Sequence, residues 1–322
     1  MKTLLVIIFL MGSIVSAQSE NKSFYVSEKI DAISDGVGEY NSVEYSVKSI
    51  DDILLYKIIN KTDYDIPYSK LEVFNNGYSV LISAFYGTLI FFNNSGVKFK
   101  LIKLSADIDV EYERSIKSVI DINTLLVLFS DLKSGFSTIQ KYNFNGKNGK
   151  SFNIEKINIT GLAYSGTLNQ ICLSYIDWDR GGNIKKGISL IDEDGVLLKD
   201  YNANFEKGFF AEDNQFIAFS NKSLISINTE NLEINFQSKP ANGELYIDVT
   251  ASKGSIIAVA AETPKLQYGK WYYKNPTIIK IDLSGKLLNK TVVETNSFSD
   301  FGFKKTNKAL LFTVGHKSIT LE

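Results

Sequence analysis

The chain has one histidine, one cysteine and four prolines in 322 residues, and no apolar run after its first turn of sequence is long enough to cross a bilayer as a helix. Each shortage excludes something. With Cys172 alone, no intramolecular disulfide can form, so stability must come from an apolar core. Its setting, Gln170-Ile-Cys-Leu-Ser-Tyr175, reads as a strand with a buried, inert thiol. His316, in Gly315-His-Lys317, has no second imidazole with which to hold zinc or haem. No nucleophile elbow or positioned acid stands beside it for Ser-His-Asp or Cys-His chemistry, and it reads as a surface turn residue. Glycines such as Gly166 and Gly181-Gly182 lack the strand-to-helix context of a phosphate cradle. No catalytic residue, metal or cofactor is therefore expected. Charge of one sign is lacking too: 35 basic against 36 acidic residues, with the lysines scattered, excludes the basic stripe that nucleic acid or anionic lipid would require.

What is present begins with MKTLLVIIFLMGSIVSA: a lysine, an apolar run from Leu4 to Met11, and small residues before Gln18. That is the three-part form of a signal peptide over residues 1–17, with cleavage expected after Ala17. No cysteine follows the apolar run to take a lipid anchor. The protein is expected to be secreted or periplasmic, without a membrane span, and residues 18–322 to form one domain.

No segment carries a convincing helical period, while aromatic residues make up 12% of the chain and β-branched residues are frequent. The recurring unit is a hairpin. Leu89 to Leu104 reads LIFFNNSGVKFKLIKL, two strand-like runs around Asn93-Asn-Ser-Gly96. The same arrangement recurs in LIDEDGVLLKD from Leu190, ISINTENLEINFQ from Ile225 and IKIDLSGKLLNKTVV from Ile279, with a looser copy from Lys141 to Lys156. Aligned on Gly96, Gly149, Gly195, Asn231 and Gly285, the copies stand 53, 46, 36 and 54 residues apart. Two further strand-like runs precede each hairpin, so each unit reads as four strands. A repeat of that length made only of strands points to stacked four-stranded blades.

On these residues the chain resembles β-propeller proteins. The turns Asp192-Glu-Asp-Gly195 and Asp282-Leu-Ser-Gly285 resemble those between the outer strands of quinoprotein-like and related propellers, and small secreted bacterial propellers are the nearest likeness. The Trp-Asp endings of WD repeats, the Tyr-Trp-Thr-Asp motif, the kelch double glycine and the blade-end tryptophans of quinone enzymes are absent, so the resemblance implies architecture and no cofactor chemistry. It implies an all-β, single propeller. Six blades are favoured if residues 31–69 are absorbed by the closing blade, seven if they form a blade of their own. Ring closure is expected by pairing of Ser23 to Ile30 with Ser318 to Leu321. A closed ring offers no blade edge, and a monomer follows from that.

Function is sought in the loops. Asp192 and Asp194 resemble the start of a calcium loop but lack its further ligands, and a hydrogen-bonding turn is the better reading. The two tryptophans of the chain lie in unusually long connections between second and third strands: Trp178 in Asp177-Trp-Asp-Arg-Gly-Gly182, and Trp271 in Tyr268-Gly-Lys-Trp-Tyr-Tyr273. Between them in sequence the corresponding connection is only Asn221-Lys222. The expected site is a notch lined by Trp178, Tyr268, Trp271, Tyr272 and Tyr273, with Asp177, Asp179 and Arg180 as hydrogen-bonding groups. Flat apolar faces beside fixed carboxylates suit a glycan or a protein segment. The expected function is a non-enzymatic binding module. The alternative is a carbohydrate-active enzyme that uses Asp177 or Asp179 with a second acid.

Overall fold

The structure is a computed structural model that describes residues 24–34, 39–60, 69–84, 86–104, 116–121, 123–131, 135–156, 158–178, 184–203, 205, 207–211, 214–267, 270–295, 298–299, 301–305, 309–314 and 317–321. Its described residues form strands and turns and no helix. The first sheet holds β1 (Phe24–Ser34), β2 (Glu39–Ser49) and β3 (Leu54–Asn60). The second holds β4 (Ser69–Val73), β5 (Ser79–Ser83), β6 (Thr88–Phe92) and β7 (Lys98–Lys103). The third holds β8 (Lys117–Asp121), β9 (Thr124–Asp131), β10 (Phe136–Asn143) and β11 (Asn148–Ile154). The fourth holds β12 (Ile159–Ser165), β13 (Gln170–Trp178), β14 (Ile184–Asp192) and β15 (Leu197–Tyr201).

The fifth sheet holds β16 (Lys207–Ala211), β17 (Gln215–Ser220), β18 (Ser223–Asn228) and β19 (Ile234–Ser238). In the sixth, β20 (Glu244–Ser252) and β21 (Ser255–Glu262) are followed by a separate ribbon of β22 (Lys265–Gln267) and β23 (Lys270–Tyr272), and then by β24 (Thr277–Asp282) and β25 (Leu287–Val292). The seventh holds β26 (Phe301–Lys305), β27 (Leu310–Val314) and β28 (Lys317–Thr320). Each sheet is an antiparallel meander, as short connections between sequential strands dictate.

Among the described residues there are seven sheets besides the two-stranded ribbon, not the favoured six, because residues 31–69 contribute to a sheet of their own. The expected closing pair is not confirmed among the described residues. β1 pairs with β2 along its whole length, from Phe24↔Ser49 to Ser34↔Glu39, and β28 pairs with β27. Among the described residues both β1 and β28 are edge strands.

Burial grades across each sheet. Second strands are apolar runs covered on both faces: all of β5, five of six residues of β17 and seven of eight of β21 are buried. Fourth strands face solvent, and β25 is exposed throughout. Lys98, Lys100 and Lys103 on β7, Lys150 on β11 and Lys290 on β25 put charge on these outer edges, where it opposes pairing with other chains.

The hairpins between third and fourth strands share one turn. In the second sheet Asn93 Oδ1 accepts from the N–H groups of Ser95 (3.0 Å) and Val97 (2.9 Å). Asn143, Asp192 and Asp282 repeat this with Asn145 and Lys147, Asp194 and Val196, and Ser284 and Lys286. The left-handed position belongs to Gly96, Gly146, Gly195 and Gly285. The third-sheet turn therefore centres on Gly146 rather than Gly149. In the fifth sheet the loop is one residue longer, and Leu232 takes the left-handed conformation at φ 61°.

The chain divides into two compact units, one from Gln18 to Gly208 and one from Phe209 to Glu322. In the first, Val43, Tyr45, Val47 and Tyr56 pack with Leu71, Val73 and Leu81, and Leu126, Leu128 and Ile139 pack with Ile171, Leu173 and Tyr175. In the second, Phe209, Ile217 and Phe219 pack with Val249, Ile256 and Ala258, and Ile257 and Val259 pack with Phe303, Phe312 and Val314. Each cluster joins consecutive sheets, as repeat architectures require.

A second contact joins the sheets through the turn. The Gly96 turn of the second sheet lies on the Tyr56 ring of β3, the Gly195 turn of the fourth on Phe152 of β11, and the Gly285 turn of the sixth on Phe236 of β19. A Cβ at Gly195 or Gly285 would stand 2.5 or 2.6 Å from that ring. Gly146 lies against Lys100 of β7 and the Phe91 ring of β6, both of the second sheet, and Lys100 Nζ donates to Gly146 O at 2.6 Å. Between the third and fourth sheets ion pairs add to the contact, with Lys141 Nζ 2.8 Å from Glu193 and Lys150 Nζ 2.5 Å from Asp194.

Candidate functional site

The connection between β21 and β24 is a ribbon that stands away from its sheet. β22 and β23 pair Lys265↔Tyr272, Leu266↔Trp271 and Gln267↔Lys270, which places Leu266 and Trp271 opposite each other on one face. Both are apolar and both are exposed, at 59% and 54%. On the other face Tyr272 is half-buried.

The base of the ribbon is tied down. Glu262 N–H donates to Lys274 O (3.2 Å), Thr263 N–H to Gly243 O (3.0 Å), and Asn275 Nδ2 to Glu262 Oε1 (2.6 Å). Tyr273 exchanges backbone hydrogen bonds of 2.8 and 3.0 Å with Phe298. Its ring stacks on Phe298 at 5.9 Å and meets the edge of Phe301 at 5.3 Å. Of the three aromatics from 271 to 273, the outermost is presented to solvent and the innermost anchors the ribbon.

In the fourth sheet β13 and β14 run on as a long hairpin, with Asp177 opposite Lys185 and Trp178 opposite Ile184. Ile184 is 62% exposed. Glycine is required below it at Gly187, where a Cβ would stand 2.2 Å from Tyr175 Oη. Asp179, Arg180 and Tyr268 lie outside the described residues, as does His316. Asp177 and Trp178 belong to the first unit, and Trp271, Tyr272 and Tyr273 to the second. In the fifth sheet the equivalent connection is a two-residue turn between Ser220 and Ser223.

Sequence reasoning passed over Leu266. Its signal was the alternation Lys-Leu-Gln facing Lys-Trp-Tyr, too short to stand out as a strand pair. It also passed over two lysines on the first strands of adjacent sheets, Lys70 on β4 and Lys117 on β8. Lys70 is paired with Glu72. Lys117 is half-buried, and desolvation, reinforced by the charge of Lys70, pushes its pKa down.

Chemistry elsewhere is quiet. Cys172 is fully buried, and burial pushes its thiol well above the ordinary range, so it is not a nucleophile. Asp192 spends its Oδ1 on the turn, which is the hydrogen-bonding arrangement expected for it. Among the described residues no three His, Cys, Asp or Glu side chains gather to hold a metal, and no helix is long and apolar enough to cross a membrane.

No protein-family model matches the chain, and no curated protein does. Solved structures do. A structure described as the Dos1 propeller matches over 87% of this chain and 74% of its own, at 10% identity and a TM-score of 0.53. The C-terminal WD40 domain of Sif2 matches over 92% of this chain and 80% of its own, at 11% identity and a TM-score of 0.57. The fold is a β-propeller. Among the described residues its blades number seven, five with four strands and the first and last with three. The likeness shows the fold and carries no ligand across. Within the propeller, the ribbon of the sixth blade and the long hairpin of the fourth are the same element, an extended connection between second and third strands.

Proposed function

We propose that the protein is a secreted binding module that captures a protein segment or a glycan through its long second-to-third-strand connections. The observation that carries this reading is the Leu266–Trp271 pair, an exposed apolar patch on a ribbon whose base is fixed by backbone hydrogen bonds and by the Tyr273–Phe298–Phe301 stack. Folding does not bury these two side chains. A partner that covers them gains the apolar transfer energy, about 25 cal/mol per Å2, without having to order a loose loop first. Tyr268, Tyr272 and Tyr273 belong to this proposed surface in the second unit, and Asp177, Trp178, Asp179 and Arg180 are proposed as a separate binding element of the first.

The propeller fold supports a role in interaction or scaffolding, and residues 1–17 support export. N-terminal sequencing of the exported protein is expected to begin at Gln18, and retention of Met1 would overturn the secretion reading. Binding is tested by the emission of a Trp178→Phe variant, which reports Trp271 alone. Its fluorescence is expected to be red-shifted and open to acrylamide, and to become shielded in the presence of one class within pooled glycans and peptides. Emission that stays quenchable with every pool would remove the ribbon from the reading. Hydrolysis of a glycan in the same panel, lost in Asp177→Asn, would replace binding by catalysis.

A further inference from the structure

Among the described residues, the seventh blade offers an edge that five other blades cover. Leu321 N–H donates to Leu310 O at 2.8 Å, and β28 pairs in the register Val314↔Lys317 and Phe312↔Ile319. In an antiparallel ladder the bonded positions alternate, so Lys317, Ile319 and Leu321 face β27 with their backbone groups. The N–H and C=O of Ser318 and Thr320 therefore point outward. β26, β27 and β28 follow one another in sequence and in the sheet as the first three strands of the four-stranded blades do. By that correspondence the open side of β28 is where β7, β11, β15, β19 and β25 stand in their own blades.

Beside this edge, within the same unit, lies a groove of about 120 Å3. Ile257 and Ile278 of the sixth blade line it, and Ile319, Thr320 and Leu321 bound it on the seventh. Lys280 is the one charged residue in the lining.

We propose that the edge of β28 and this groove form a docking site for an extended segment of a partner protein, which adds antiparallel to β28 as the fourth strand of the blade. The other blades of this chain supply the template for the occupant's geometry, and the groove supplies its chemistry. Main-chain hydrogen bonds go to Ser318 and Thr320, one aliphatic side chain fills the space between Ile278 and Ile319, and a carboxylate nearby complements Lys280. This site does not depend on the Trp271 ribbon.

Amide exchange on the full chain is the first test. The amides of Ser318 and Thr320 are expected to exchange fast while those of Ile319 and Leu321 are protected. Protection of all four in a monomer would mean that the chain covers its own edge, and would overturn the proposal. The binding probe is a labelled peptide with the sequence of residues 230–238, ENLEINFQS, the acidic turn and fourth strand of the fifth blade, read by fluorescence anisotropy. Thr320→Pro removes an outward N–H that the ladder with β27 does not use, and it is expected to weaken peptide binding about tenfold with an unchanged melting temperature. Ser318→Pro is expected to do the same, so a folding defect in one variant leaves the other informative. Lys280→Glu is expected to weaken the peptide several-fold and to favour one in which Glu233 is replaced by lysine. A peptide that fails to bind, or that binds all variants alike, overturns the proposal. A dimer of the wild type that Thr320→Pro dissolves would give the edge to a second copy of the chain instead.

Discussion

Gly285 combines two demands at one atom: a backbone at φ 87°, and a space that the Phe236 ring closes to a Cβ. Gly285→Ala is expected to cost about 1–3 kcal/mol in a urea titration. Part of that cost should vanish in the Phe236→Ala background, because the two residues share one contact. A coupling energy of zero would show that backbone strain alone sets the requirement. Leu232 is the converse case, a bulky residue at φ 61° where the other hairpins place glycine. Leu232→Gly is expected to raise stability by about 1 kcal/mol, less the extra chain entropy of glycine. Lys117 is a third residue whose surroundings work against it, since burial lowers its pKa. The unfolded chain then binds the proton more tightly than the folded one, so this residue's contribution to stability rises with pH between its folded and ordinary values. Lys117→Met is expected to melt higher at neutral pH, by about 1 kcal/mol, and to lose that part of the alkaline slope.

At the scale of the element, the third-to-fourth-strand hairpin uses either carboxylate or amide at its first position: Asn93, Asn143 and Asn228 in three blades, Asp192 and Asp282 in two. The choice matters only to acid. The hydroxyl of Ser284 and the N–H groups of Lys286 and Ser284 hold the Asp282 carboxyl below its usual range. Its stabilising contribution is complete above the ordinary carboxylate pKa and is lost as pH falls through the lowered one. Asp282→Asn keeps the acceptor, so the melting temperature should fall less steeply below pH 4 than in wild type, and an unchanged acid limb would sink this account. The same turn explains what could be read in advance. Blades whose turn carries Asn or Asp followed by Gly three residues later were legible as hairpins. The first blade was not, because Ser49 Oγ takes the Asx role and Asp52, at φ 65°, takes the glycine's. Its chemistry is equivalent but its letters differ, and the count of six rather than seven followed from that.

At the scale of the whole molecule, the strand-only class, the four-strand period and the long connections were visible because burial on both faces writes continuous apolar runs into second strands. The pairing of β1 was not, since the strand from Phe24 is equally compatible with any open edge until the register with β2 is seen. For the site, Trp271 announced itself by rarity, whereas the anchoring role of Tyr273 depends on Phe298 and Phe301, whose contact with it has no local signature. With one thiol and no disulfide, reductant should leave the melting temperature unchanged, and Cys172 should react with a thiol reagent only at the rate at which its blade opens. Labelling that outruns unfolding would show the fourth blade to be a separately opening part.

The seating of each turn glycine on a ring of the preceding blade also bears on how such a chain can change its length over generations. The aromatic half of the contact is encoded one repeat before the glycine half, so neither is a property of a single sheet. A recombination event that duplicates or removes one full period between equivalent turns leaves a ring upstream of every glycine, whereas a cut at any other spacing strands one of the two. The heritable module is therefore the interval from one turn to the next, and the blade is what that interval becomes once it has folded.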